Sequence, residues 1–457
     1  MKFCATTLGC KVNQFETQAI EGILISRGHE LARPGEGCDA CIINTCAVTA
    51  ESARKSRQAV RRMRKMEPGA LVAVCGCYSQ FEPAAIGQLG ADLAGGSGNR
   101  MEFALAVEKM VSQRSTFAPS ARERPANLTT VCGQGGVAPP VSEDVPPAFE
   151  DVPPVFEDIS PGAGASRTRA LLKIQDGCSN YCAYCIVPFI RGPARSLPVS
   201  RAAENARLLG ERGFREIVVT GIEISSYGKD LDGAPSLPDA VREICAAAPN
   251  ARIRLGSLDP AAVTGEFCLK LGEIPNLCDH FHLSLQSGCD DTLRRMGRKY
   301  GMGAVLGALE SLRRLFPGCG ITADLIAGFP GETDEEFAQT LRLIKAAGFS
   351  DMHIFPYSPR PGTRAADMPG QVEKSVKRER ARIAAAVAEE MAHSFRLALV
   401  GKTVDVLFER KRGGYWTGHS GNYVEVAAKN GGARNSVCFV RITDVKDGLV
   451  RGLLVRG

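Results

Sequence analysis

The sequence predicts an α/β protein with a small all-β end. Three observations carry that expectation: short apolar runs alternate with helical patterns through most of the chain, one acidic and proline-rich stretch interrupts them, and beyond residue 402 only short apolar runs between glycine turns remain. With 457 residues, the chain is too long for one core and should divide into about three units at ~100–200 residues each.

Residues 1–113 open with MKFCATTLG as a strand. A helix through Glu16–Arg27, the strand CIINT, a basic helix from Ser52 to about Glu67 and the strand ALVAVCG follow. Strand alternating with helix is the pattern of a parallel sheet with covering helices, here a flavodoxin-like domain. Residues 114–168 break it. EDVPPAF, EDVPPVF and EDISPG repeat with prolines that exclude a coiled coil, so the segment reads as a disordered, acidic, proline-rich linker. Over 169–392 the alternation resumes, with LLKIQ, EIVVTG, RIRLGS, FHLSLQ, ITADLIAG and MHIFPYS as six strands and Ser200–Arg212 and Ala304–Leu315 among the helices. Six such units suggest a partial (β/α)6 barrel. An amphipathic helix over 373–400 leads into the last unit, 393–457, where TVDVLFE, YVEVAA, SVCFVRITDV and LVRGLLV read as a small antiparallel β-barrel.

The chain contains 17 cysteines. The start, MKFCATTLGCKVN, sets Lys11 and Asn13 where an export signal would need an apolar core, so the expected location is cytoplasmic, and no apolar run is long enough for a membrane span. In a reducing compartment clustered cysteines point to metal ligation or nucleophilic chemistry. Cys245, Cys268, Cys278, Cys289, Cys319 and Cys438 are scattered and read as small buried hydrophobes. The net charge is +6, but residues 114–168 hold four Arg against seven acidic residues, and residues 401–457 hold ten basic against five acidic. A basic terminal unit suggests a polyanion partner.

CSNYCAYC places Cys178, Cys182 and Cys185 at spacing C-x3-C-x2-C just after the strand LLKIQ. Three thiolates in one loop can hold three irons of a [4Fe-4S] cluster and leave the fourth open, whereas structural zinc would want a fourth ligand. A second set, Cys10, Cys46 and Cys77, follows three strands of the first unit, and thiols at the carboxyl ends of parallel strands converge in space. Cys4, Cys41 and Cys75 fall inside strands, and Cys75 is expected to point the same way as Cys77 but to fall about 6–7 Å short. Cys38 with Cys41 remains open as a zinc half-site. In HFHLSLQ, His282, Ser284 and Gln286 alternate with apolar residues, giving one polar strand face that suits a cofactor and a nucleobase or else is satisfied locally.

The C-x3-C-x2-C spacing resembles that of the radical S-adenosylmethionine superfamily. TLGCKVNQFET, IINTCAVTAESARKSRQ and CGCYSQ, with DGCSNYCAYCIVPFIRGPARS, EIVVTGIEISSYG, HFHLSLQSGCDDTLRRMGRKY, ITADLIAGFPGETDEEF and IFPYSPRPGTRA, resemble the methylthiotransferases within it; YWTGHSGNYVEV resembles the RNA-binding TRAM domain. The likeness covers essentially the whole chain apart from the linker, and TLGCKVNQ and HLSLQSGCDDTLRRM are most similar to the branch acting on threonylcarbamoyladenosine in tRNA. It implies two [4Fe-4S] clusters and S-adenosyl-L-methionine, with a 5′-deoxyadenosyl radical formed at the Cys178, Cys182 and Cys185 cluster and sulfur methylated at the Cys10, Cys46 and Cys77 cluster.

The resemblance also implies that Tyr184, Thr220, Gly221, Gln286, Gly328, Pro330 and Gly331 contact S-adenosylmethionine. Arg410, Lys411 and Arg412, with Tyr415, Trp416 and Tyr423, are expected to grip phosphate and stack on bases. The partners expected are tRNA and an electron donor such as flavodoxin or ferredoxin, with the sulfur donor unassigned. Substrates of sister branches, isopentenyladenosine in tRNA or a ribosomal-protein aspartate, stay as alternatives, as does a zinc-containing RNA-binding module. Asp259 in GSLDP stands where relatives usually carry glutamate, which leaves its role open.

Overall fold

The computed structural model describes residues 1–116, 129–131, 156–161, 168–429 and 432–455, and these fall into two compact units. The first unit comprises residues 1–166, 175–197 and 358–366. Its strands β1 (Lys2–Thr7), β2 (Glu30–Leu31), β3 (Ala40–Thr45), β4 (Leu71–Gly76), β5 (Leu93–Gly95) and β6 (Thr129–Val131) form one sheet in the order β2-β1-β3-β4-β5-β6, parallel throughout. This is the expected doubly wound α/β domain.

Helices cover both faces. α1 (Lys11–Ser26) buries Ile20 and Leu24 against Phe3, Ile42 and Ala73, while α2 (Ala50–Met66) buries Ala53, Val60 and Met63 against Ile43, Val72 and Val74. Successive strand residues therefore feed opposite cores, the period-two rule applied to a sheet buried on both sides. α2 starts at a capping box between Thr49 and Ser52. α3 (Cys77–Phe81), α4 (Pro83–Gln88) and α5 (Arg100–Thr116) complete the chain order.

Three pieces of the stretch expected to be a disordered linker are structured, and that expectation needs correction for them. α5 runs on to Thr116, and Thr129–Val131 adds a parallel edge strand to β5 because the sheet edge offers unpaired backbone groups. Ile159 is buried, and Glu157 accepts from the Arg100 backbone N–H at the start of α5. EDVPPAF and all but the last residue of EDVPPVF lie outside the described residues, whereas most of EDISPG is described.

Two short segments complete the first unit: residues 175–197, where β8 (Gln175–Asp176) pairs with β9 (Arg195–Ser196) to flank the cysteine loop and α6 (Val187–Arg191), and residues 358–366.

The second unit holds residues 167–174, 198–357 and 367–457. Strands β7 (Ala170–Lys173), β10 (Glu216–Thr220) and β11 (Arg252–Leu255) run parallel, as do β12 (Ser257–Leu258), β13 (His280–Gln286), β14 (Gly320–Ala327) and β15 (Asp351–Pro356). Only Gly256 separates β11 from β12, so the array reads as six consecutive parallel strands with helices between them, the expected (β/α)6 arrangement with β7 and β15 as its edges.

The 24-residue helix Lys374–Leu397 leads to a closed barrel of β16 (Thr403–Arg412), β17 (Tyr415–Ser420), β18 (Glu425–Lys429), β19 (Val437–Lys446) and β20 (Leu449–Leu454). Expected as antiparallel, it has one parallel pair, β18 with β20. Five strands cannot alternate in direction around a closed ring, so one like pair is unavoidable.

The barrel is seated on the amino-terminal ends of the parallel strands. Arg252 and Arg254 on β11 clasp Glu216 on β10 and donate to the carbonyls of His419, Ser420 and Gly421 at 2.7–3.1 Å. Burial alone would raise the Glu216 carboxyl, yet Arg254 and Arg252 hold it at about 2.

Candidate cluster-binding site

Cys10 caps the start of α1, Cys46 follows β3, and Cys77 opens α3 directly after β4. Two glycines make this possible. Gly9 (φ +101°) and Gly76 (φ +96°) precede Cys10 and Cys77 in a conformation that other residues rarely adopt. A Cβ on Gly9 would lie 2.7 Å from Cys46 Cβ, and one on Gly76 would lie 2.2 Å from Asn44 Oδ1. Cys46 is fixed by its N–H donating to Ser56 Oγ of α2 at 3.1 Å.

Asn13, one turn into α1, joins the set. Its Oδ1 lies 3.8 Å from Cys10 Sγ and 4.0 Å from Cys77 Sγ, and its Nδ2 donates to the carbonyls of Leu8 and Thr45 at 2.9 and 3.0 Å. Behind it Arg191, with its side chain only 1% exposed, donates through Nε to Cys77 Sγ at 3.3 Å and through Nη2 to Asn13 Oδ1 at 2.8 Å. Nη1 of Arg191 meets Glu16 at 2.8 Å and Asp176 at 3.1 Å, and Arg100 takes the other Glu16 oxygen at 2.9 Å. Two cations thus face two carboxylates in a closed, buried network. Burial pushes the thiols of Cys10, Cys46 and Cys77 upward, and Arg191 opposes that at each.

These donors fit an iron–sulfur cluster. Three soft thiolates converge, the nearest carboxylate, Glu16, is committed to Arg191 and Arg100, and a buried cation stands ready to offset negative charge.

Cys75 is placed differently from the expectation. It packs in the opposite core with Phe103, Leu93 and Ala73, because strand alternation ends at Gly76 and turns Cys77 to the other side. Cys4 and Cys41 are register partners inside the sheet with their sulfurs 3.4 Å apart, and Cys38 is buried in the same core.

The second triad is local. Cys178 donates its N–H to Gly192 O at 3.0 Å, Cys185 donates to Cys182 O at 3.0 Å, and Ala365 donates to Ala183 O at 2.8 Å. Cys182 is buried, while Cys178, Tyr184 and Cys185 are half-buried. Both triads belong to the first unit, and Arg191, six residues beyond Cys185, ties the second loop to Cys77.

In the second unit Thr220 and Gly221, Gln286, and Gly328 with Pro330 and Gly331 follow or end β10, β13 and β14, which places them at the carboxyl rim of the parallel strands. The amides of Gly328 and Gly331 are used within the chain, donating to Glu332 Oε2 and Gly370 O at 2.8 Å each. Asp259 caps the turn at Ala261 and pairs with Arg298 at 3.0 Å, a structural assignment for that position.

Residues 2–94 match the Uncharacterized protein family UPF0004, and residues 172–344 match the Radical SAM superfamily. A Bacillus subtilis protein named threonylcarbamoyladenosine tRNA methylthiotransferase MtaB is 34% identical over 93% of this chain and 89% of its own length. The chain belongs to the radical S-adenosylmethionine methylthiotransferase family. A Thermotoga maritima protein of the same name is 33% identical over 88% of this chain and 85% of its own. A Syntrophotalea carbinolica tRNA-2-methylthio-N(6)-dimethylallyladenosine synthase is 32% identical over 89% and 88%. The radical S-adenosylmethionine methyltransferase TsrM from Kitasatospora setae, solved with cobalamin and a [4Fe-4S] cluster bound, shares the fold alone, with TM-score 0.54 and 14% identity over 80% of this chain and 77% of that one.

As a member of that family, this methylthiotransferase uses a [4Fe-4S] cluster and S-adenosylmethionine. Of its six expected RNA contacts, the structure moves one. Tyr423 is stacked between His280 and His419, ring centroids 4.7 and 4.9 Å away, with Arg254 over its ring, so it belongs to the seat of the barrel. Trp416 packs partly against the barrel core beside Phe408. Arg410, Lys411 and Arg412 are exposed at the end of β16, and Tyr415 is joined by Lys429 and Arg451 at 5.5 and 5.8 Å. Among the described residues, no helix is long and apolar enough to cross a membrane.

The residues that sequence reasoning missed are Asn13, Glu16, Arg100, Asp176 and Arg191. A signal was available: Asn13 and Glu16 sit three residues apart on a helix face otherwise committed to the core.

Proposed function

We propose that this methylthiotransferase places a methylthio group on carbon 2 of threonylcarbamoyladenosine beside the anticodon of tRNA. The single observation that carries the reading is the pair of thiol triads in one unit, joined through Arg191; relatives named MtaB, five of them at 29–34% identity, support the substrate. The carbon 2 C–H bond is too strong and too weakly acidic for polar substitution, so the reaction needs one-electron chemistry. When bound, the cluster at Cys178, Cys182 and Cys185 would supply that electron to S-adenosylmethionine, and a second cluster at Cys10, Cys46 and Cys77 would carry the sulfur.

The chain's own residues do the rest. Gly9 and Gly76 aim two thiols off their strand ends, Asn13 and Arg191 fix Cys77, and Arg191 compensates the negative charge a thiolate-bound cluster brings. Thr220, Gly221, Gln286, Gly328, Pro330 and Gly331 lie on the rim that holds S-adenosylmethionine. Arg410, Lys411, Arg412 and Tyr415 grip the RNA backbone. The electron comes from a flavodoxin or ferredoxin, and the enzyme works in the cytoplasm.

Mass spectrometry of tRNA nucleosides from cells lacking the protein tests this. The methylthio form of threonylcarbamoyladenosine should vanish while its unthiolated precursor accumulates. Loss of methylthio-dimethylallyladenosine instead would favour the reaction named for the Syntrophotalea relative.

A further inference from the structure

Arg191 closes α6, and the two edges of its guanidinium meet different chemistry. Nε donates to Cys77 Sγ at 3.3 Å and Nη2 to Asn13 Oδ1 at 2.8 Å. Nη1 pairs with Glu16 at 2.8 Å and Asp176 at 3.1 Å, and Nη2 reaches the second Glu16 oxygen at 3.3 Å. The positive group therefore lies directly on the sulfur, and the carboxylates are bonded to its far nitrogens. Glu16 is shared in turn with Arg100.

All four charged side chains are buried, so water and salt screen them little and the nearest charge is felt most strongly at the sulfur. The backbone holds the cation there. The Arg191 carbonyl accepts from Arg195 Nη1 at 2.9 Å, and the carbonyl of Gly192, the next residue, accepts from the Cys178 N–H at 3.0 Å. Glu16 and Asp176 are needed because a guanidinium buried alone would be costly.

An iron–sulfur cluster gains one negative charge with each electron it takes up, and hydrogen bonds and charge at its sulfurs set how readily it does so. A buried cation donating to a ligand sulfur favours the reduced form, and nearby carboxylates oppose it. We infer that Arg191 raises the reduction potential of the cluster at Cys10, Cys46 and Cys77, acting through Cys77, and that Glu16 and Asp176 limit the rise. This rests on the second cluster of the proposed function. Cleaving a sulfonium demands a strong reductant, so a raised potential keeps the sulfur-carrying centre from doing the chemistry of the other.

The test uses the full-length chain carrying Cys178→Ala, Cys182→Ala and Cys185→Ala, reconstituted anaerobically so that its remaining cluster is the one at Cys10, Cys46 and Cys77. Dithionite titration against mediator dyes, followed by electron paramagnetic resonance, gives the midpoint potential. Adding Arg191→Met should make reduction less favourable by about tenfold or more, the scale of a hydrogen bond to a charged group, which is a fall of about 59 mV per tenfold for a one-electron couple. Arg191→Lys keeps the charge and should restore most of the loss. Glu16→Gln removes an opposing charge and should shift the potential upward.

A residue that only held the loop in place would move Arg191→Met and Glu16→Gln in the same direction or strip iron from both. Either result overturns the role, and so does an unchanged potential in Arg191→Met. If Arg191→Met alone binds no iron, the sign of the Glu16→Gln shift still decides. The underlying reading fails separately: a parent chain that assembles no cluster at the three remaining cysteines removes the second cluster, whereas a cluster whose potential ignores Arg191 removes only this role.

Discussion

The two thiol triads differ in how they are built. Cys178, Cys182 and Cys185 come from one loop held by backbone bonds to Gly192 and Ala365, with two of the three half-buried. Cys10, Cys46 and Cys77 come from three strand ends, are backed by four buried charges, and depend on two left-handed glycines. A local triad needs only a sequence spacing. A distributed one needs the whole sheet, so it should be the more sensitive to changes that touch no cysteine.

Exchanging all three loop cysteines for Ala should abolish S-adenosylmethionine cleavage and remove about half the iron, since one of two clusters would go. The same exchange at Cys10, Cys46 and Cys77 should remove the other half, keep cleavage and lose methylthio transfer. Iron analysis with a 5′-deoxyadenosine assay separates the two, and cleavage surviving in the loop triple would break the assignment. Arg191→Met should cut methylthio transfer by about 10–100-fold, the usual scale for a group that orients a ligand, with Arg191→Lys falling between; it should leave the iron of the loop triad in place.

Gly76→Ala should lower stability by at least roughly 1–3 kcal/mol from backbone strain, read by denaturant unfolding, whereas no glycine of that kind guards Cys46. Cys77→Ala should end sulfur transfer, and Cys75→Ala, one core layer away, should stay within about twofold of wild type, as a packing change alone. The smallest effect concerns the barrel seat. Glu216, held at about 2, stabilises the folded state above its unfolded value of about 4.3, and this contribution is lost as pH falls from there toward 2. Thermal unfolding between pH 5 and 2 should show it, and Glu216→Gln should flatten the profile.

The same contrast explains what could be read in advance. The loop triad was legible because C-x3-C-x2-C is written in adjacent letters, and Cys10, Cys46 and Cys77 because strand ends converge in a parallel sheet. Cys75 was misplaced because the turn at Gly76 reverses the side of the sheet, a dihedral fact that two-residue spacing does not carry. Arg191 was hidden for a similar reason: its partners Glu16 and Asn13 lie 175 and 178 positions away. Tyr423 looked like an RNA contact because aromatic and basic residues cluster near it in sequence, while its actual neighbours, His280 and Arg254, come from the parallel sheet. The parallel pair in the small barrel followed from counting strands, and the omitted strand Tyr415–Ser420 hid that count.

The seat of the barrel sets a length. Its contacts lie at the amino-terminal ends of strands whose carboxyl ends form the rim, and β14 alone is 8 residues long, about 26 Å at ~3.3 Å per residue. An RNA held by the barrel while its base sits at the rim must stretch along that edge. A single nucleotide cannot, and a stem-loop of a full helical turn can. If the barrel grips RNA as proposed, the unit would act as a ruler, selecting a base by its distance from a duplex as well as by its chemistry, and trimming the stem should cost affinity stepwise until only the rim contacts remain.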